Sequence, residues 1–138
     1  MELAHPWRAL RALSHIDVTW CHLPVGLRAV TNGRAIWMHT GLTQRERRSS
    51  LAHELVHIDE GHTSCQPDRI ERHVRTLAAV WLLPRIEPVA DALMWHGDDY
   101  DGAADDLWVD EATLWARLDP DHSPKVDRLY MARRLEDL

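Results

Sequence analysis

Apolar and polar residues follow two rhythms along this chain, and the change between them marks its parts. Residues 5–14 (HPWRALRALS) set Trp7, Leu10 and Leu13 on one side of a short helix. From 16 to 23 the rhythm shortens. Ile16, Val18, Trp20 and Leu23 alternate roughly with polar residues, which predicts a half-buried strand ended by Pro24 and Gly26. A second strand is expected over 27–31 and a third over 34–39. Between them Asn32-Gly33 predicts a two-residue hairpin turn, whose favoured form needs positive φ at both central residues. The expectation is a three-stranded antiparallel meander.

The helical rhythm then returns. Thr43 with Glu46 three residues on has capping-box spacing, so a helix should open there and stop near Gly61. A loop with Pro67 leads to a second long helix over 68–83. Its residues Ile70, Val74, Leu77, Ala78, Trp81 and Leu82 share one face. Shorter helices are expected near 85–95, 102–107, 111–118 and 124–137. Asp110 should cap the third of these, and Ser123-Pro124 should open the fourth. The fold class predicted is α+β: an N-terminal helix, the meander, two long helices and a C-terminal bundle of short helices. One domain spans 1–138, with a core over 1–84 and a helical subregion over 85–138.

Composition narrows the functional classes. With seven Trp and no Phe, Trp7, Trp20, Trp37 and Trp81 are expected to fill the volume that Phe would usually take. No apolar run approaches the ~18 residues of a membrane span. The start, MELAHPWRALRAL, lacks the basic-then-apolar order of a secretory signal, so the expected compartment is the cytoplasm. Cys21 and Cys65 are expected as free thiols. Residues 1–84 carry 10 basic and 8 acidic side chains, and 85–138 carry 6 and 14. The acidic C-terminal part repels phosphate, so direct nucleic-acid binding is not expected, whereas a basic protein partner is allowed.

The chemistry sits in His53-Glu54-Leu55-Val56-His57, an HExxH motif. Histidines four apart on a helix face the same way, so two imidazoles can reach one tetrahedral Zn2+ ion. Glu54, about 100° round the helix, is placed to take the proton of a water that the ion activates. A catalytic zinc needs a third ligand. His62 lies five residues after His57, and the places where a metzincin needs Gly and His hold Glu60 and Thr63. Cys65 is possible, but a thiolate makes a less electrophilic site. Glu71 is the better candidate, because Val74, Ala78 and Leu82 continue its helix face towards the core and a buried carboxylate there needs a partner.

The stretch RRSSLAHELVHIDEGH followed by ERHVRTLAAVWLLP resembles the ImmA/IrrE family of phage and bacterial metallopeptidases. Glu71, Ala78, Ala79, Leu82, Leu83 and Pro84 fall at the family's offsets. Val74-Arg75 stands where the family has Ala-Asn, and Leu77 where it has Phe. The resemblance covers about 35–84 and extends more weakly to DDLWVDEATLWARL, similar to the family's helix-turn-helix-like element. It implies a compact zincin-like domain with a gluzincin-like site: His53, His57 and Glu71 as zinc ligands and Glu54 as base. It also implies a substrate, a helix-turn-helix repressor of a phage or mobile element.

The expected activity is therefore zinc-dependent endopeptidase cleavage of a basic repressor, with the substrate extended along a strand edge at 35–39. His39, His62, Tyr100 and Tyr130 are candidates for substrate or oxyanion contact. Two other readings remain: a non-catalytic zinc module that binds a repressor or antitoxin, and a DNA-binding regulator built on the C-terminal helices.

Overall fold

In the computed structural model, residues 5–136 are described. The elements in order are α1 (Pro6–Arg11), β1 (Asp17–Cys21), β2 (Ala29–Thr31), β3 (Ala35–His39), α2 (Gln44–Asp59), α3 (Asp68–Leu82), α4 (Ile86–His96), α5 (Tyr100–Asp106), α6 (Glu111–Arg117) and α7 (Lys125–Glu136). The class is mixed α and β, as the two rhythms predicted. The last helix was expected to reach residue 137, which lies outside the described residues.

The sheet is not the meander expected. Its order is β1-β3-β2, with β1 parallel to β3 and only β2 antiparallel to it. The reason lies in burial. β3 turns Ile36 and Met38 fully into the core, while β1 is mostly exposed. The more apolar strand takes the centre, where both edges are paired. The link between β1 and β2 is the irregular stretch 22–28, long enough to carry the chain past the β3 position. The β2–β3 hairpin does form, but its turn differs from the one predicted. Gly33 has φ +90 and Asn32 does not reach positive φ. The Asn32 side chain instead accepts from the backbone N–H of Arg34 and Ala35, at 2.9 and 3.0 Å, an Asx-type turn that needs one left-handed residue.

α2 is the centre of the molecule. Thr43 and Glu46 close a reciprocal capping box at its start. On one side Leu51 and Leu55 pack with Ile16, Ile36, Met38 and Leu42 beneath the sheet. On the other Ala52 meets Ala78 and Leu82 of α3, in a cluster that continues through Val89, Ala103, Val109 and Leu114 of the C-terminal helices. Ala52 of α2 and Ala78 of α3 are the small buried residues that the two helices bring to this cluster. The packing of these helices sets the separation of the candidate ligands.

The C-terminal helices are pinned by one buried cation. Arg117 is fully buried; it donates to the Leu83 carbonyl at 2.7 Å and to Asp127 at 2.6 Å, and contacts Ser123 Oγ at 3.4 Å. Ser123, expected as a cap, thus serves as an acceptor for Arg117. Asp110 does cap α6, accepting from Thr113 N–H at 2.8 Å. Arg117→Ala would leave a buried carboxylate and a carbonyl without their donor. It should destabilise the protein by about 3 kcal/mol in urea unfolding, and a loss below about 0.5 kcal/mol would contradict this role.

Candidate metal centre

His53 and His57 face the same way from α2, one turn apart, and Glu71 meets them from the first turn of α3. Their donor atoms converge. His53 Nε2 and His57 Nε2 are 3.1 Å apart, and Glu71 Oε2 is 3.3 Å from the first and 3.0 Å from the second. A tetrahedral ion with bonds of ~2.0–2.1 Å requires donor atoms ~3.3 Å apart, so the triangle has the size that such an ion needs. The set could hold one metal ion, leaving the fourth direction open.

Two of the three donors are aimed by a partner behind them. Glu71 Oε1 accepts from the Gln66 backbone N–H at 3.3 Å, which leaves Oε2 for the imidazoles. His57 is oriented by His62. α2 ends in a Schellman turn: Gly61 takes φ +79, its N–H reaches the Ile58 carbonyl, and His62 N–H reaches the His57 carbonyl at 2.9 Å. The turn folds His62 back over the helix, with its Nδ1 2.9 Å from His57 Nδ1. When His57 donates Nδ1–H to His62, its Nε2 carries a bare lone pair towards the triangle, the tautomer a metal needs. The hairpin supports this loop from outside: a Cβ on Gly33 would lie 3.1 Å from Thr63 Cγ2 and 3.3 Å from the His62 carbonyl.

Glu54 lies beside the triangle but outside it. The residue is only 6% exposed. Burial, aided by the Glu71 charge, pushes its carboxyl up to about 8. Burial likewise pulls His53 down to about 4, with His57 adding to the effect. Burial also raises Glu71, but the Gln66 amide and the two imidazoles outweigh it and hold this carboxyl below its usual range. At neutral pH the metal-free group thus has a neutral His53 imidazole, a Glu71 carboxylate and a protonated Glu54, a set a cation would reorganise.

A groove of about 380 Å3 opens over His53, Glu54 and Glu71 and is lined by Leu27, Arg28 and Arg75. A narrower recess of about 190 Å3 runs from the triangle past β2 and Cys65. Arg28 is held by Asp110 and by Glu46, the latter at 3.1 Å. Asp110 N–H donates to Ser49 Oγ at 3.0 Å, so this wall joins the 22–28 link, α2 and α6. Arg75, one turn after Glu71, is exposed and makes no hydrogen bond or ion pair among the described residues.

Of the predicted residues, His53, Glu54, His57, Glu71 and His62 are brought together. The other three are not. His39 accepts from Leu23 N–H at 3.1 Å at the end of β3. Tyr100 packs on Trp115, with centroids 4.7 Å apart, and Tyr130 accepts from Arg134 at 2.8 Å on α7. Arg75 and Arg28 were missed as groove residues. The Arg75 position was legible as Glu71 plus four, one turn along the same helix face, but the partners of Arg28 are remote in sequence.

The chain matches no protein-family model, no curated protein and no solved structure. Among the described residues no helix is long and apolar enough to cross a membrane.

The raised Glu54 carboxyl makes a prediction for the protein kept metal-free with chelator. A folded-state value above the unfolded one gives stability that is present below about pH 4.5 and lost as pH rises through 8. Glu54→Gln should therefore match the wild type near pH 4.5 and exceed it by about 2–4 kcal/mol at pH 8 in denaturant unfolding. An equal gain at both pH values would contradict the assigned burial.

Proposed function

We propose that this protein is a zinc metallo-endopeptidase of the ImmA/IrrE type. The observation that carries the reading is the triangle of His53 Nε2, His57 Nε2 and Glu71 Oε2, 3.0–3.3 Å on each side, with the buried Glu54 carboxyl next to it. Two imidazoles and one carboxylate around an open position suit zinc in a hydrolytic site. Zinc held there supplies Lewis acidity, lowering the pKa of water towards ~7 and polarising the scissile carbonyl.

The protein's own groups do the remaining work. Glu54 takes the proton from the attacking water and delivers it to the leaving amine. Glu54 would do this as a carboxylate, the form that a bound cation's charge would favour over the protonated form favoured by burial alone. Arg75, unpaired in the same groove, offers positive charge to the anionic oxygen of the tetrahedral intermediate. The substrate segment extends along β2 rather than β3. β3 is the central strand with both edges paired, whereas β2 has a free edge beside the triangle.

The proposed substrate is a helix-turn-helix repressor, a choice that rests on the resemblance of the α2–α3 sequence to this family. The excess of acidic residues over 85–138 supports docking of a basic partner. A purely structural metal site has no use for Glu54, which argues against a non-catalytic module. The same acidic excess argues against a DNA-binding regulator.

The test uses zinc-loaded wild type and Glu54→Gln with a basic helix-turn-helix repressor as substrate. Both should retain zinc, and the variant should cleave about 10²–10⁴-fold more slowly. Equal effects of the two proteins on the repressor would exclude hydrolysis as the function.

A further inference from the structure

A second cavity, of about 770 Å3, lies away from the metal triangle, between α1, the first turns of α2, the α3–α4 junction and the end of α5. Five arginines reach its wall: Arg8, Arg11, Arg47, Arg48 and Arg85. Asp106 is the one carboxylate in the lining among the described residues, and it is engaged by His96 Nε2 at 2.6 Å. Arg85 has a loose contact with Glu87 at 3.8 Å. Arg8 and Arg11 have no ion pair among the described residues. The neighbouring Arg45 shows the contrast, since it holds Asp101 at 2.6 Å and Asp105 at 3.6 Å.

The deeper arginines are built into the protein. Arg47 lies against the Trp20 ring at 5.2 Å, and its Nε is buried with no hydrogen-bond partner. Trp20 in turn stacks on Trp7, with centroids 6.0 Å apart, so aromatic rings and a guanidinium form one layered wall. Opposite, Arg48 lies 5.7 Å from the Trp108 ring centre and donates to the Trp108 carbonyl at 3.0 Å. Trp108 has φ +60, a backbone state that costs a bulky residue about 1 kcal/mol or more and persists only where surroundings impose it. Five guanidinium groups lining one cavity favour an anionic occupant.

We propose that this cavity binds a nucleoside phosphate, its phosphates held by the arginines and its base against the Trp7 and Trp108 walls. Guanidinium groups match phosphate oxygens in geometry as well as charge. Indole faces accept a planar base without regard to its identity. The volume suits one small ligand. A net charge of −6 on the whole chain disfavours a nucleic-acid strand that would run beyond the cavity. Arg47 and Arg48 lie on α2, so the ligand would touch the helix that carries His53 and His57. The proposal is independent of the peptidase reading.

Isothermal titration of the full chain with ATP, in chelator so that the metal centre plays no part, tests it. ATP should bind saturably at one site per chain, and inorganic pyrophosphate at least tenfold more weakly. Arg8→Gln combined with Arg85→Gln, both at exposed positions, should weaken ATP at least tenfold. Lys125→Gln combined with Arg133→Gln, an equal loss of two charges at exposed positions on α7, should change it less than twofold. Absence of saturable ATP binding, or equal loss in the Lys125/Arg133 double variant, overturns the proposal. Pyrophosphate binding as tight as ATP overturns the role of the tryptophan walls. Tighter binding of a single-stranded oligonucleotide through the same arginines overturns it in favour of a nucleic-acid surface.

Discussion

Three lone-pair donors from two helices meet within 3.3 Å, and much of the structure serves to hold them there. Two bare imidazole nitrogens and a carboxylate oxygen repel unless a proton or a cation lies between them. The fold keeps them together through packing around α2, which has the sheet on one side and α3 on the other. Ala52 and Ala78, both small and buried, bring no bulk between the two helices. Glu71 then reaches the imidazoles with one oxygen while the Gln66 amide holds the other. The candidate metal centre thus depends on the packing of α2 against α3.

The neighbouring elements act through this geometry. The Schellman turn at Gly61 is a local backbone feature, yet it delivers His62 to His57, where a proton donated from His57 Nδ1 leaves Nε2 bare for a metal. The hairpin at Gly33 packs against the same loop. Arg28 and Asp110 tie the far wall of the groove to α6, and Arg117 ties α6 to the α3–α4 junction and to α7. The C-terminal helices therefore matter to the site as a brace for α3 and for the groove wall.

Local signals in the sequence were read well. The capping box at Thr43, the stop at Gly61, the single face of α3 and the Asp110 cap all depend on residues a few positions apart, and each forms. The ligand set was legible for the same reason: HExxH spacing fixes two donors on one helix face, and a carboxylate heading an apolar stripe calls for a partner. Strand order was not legible. Alternation predicts strands but not their neighbours, and the competition for the central position was settled by the burial of Ile36 and Met38 against α2. The substrate-edge expectation at 35–39 failed with it. His39, Tyr100 and Tyr130 were chosen by residue type alone, and tertiary packing places each elsewhere.

The central claim is that two imidazoles and one carboxylate hold a single ion with an open fourth position. X-ray absorption spectroscopy at the zinc edge, on protein loaded with one equivalent, examines this most directly. The account predicts one zinc per chain with only nitrogen and oxygen neighbours at ~2.0–2.1 Å, two of them imidazoles. A sulfur neighbour at ~2.3 Å, which would bring Cys65 into the coordination sphere, or less than stoichiometric binding, would contradict it.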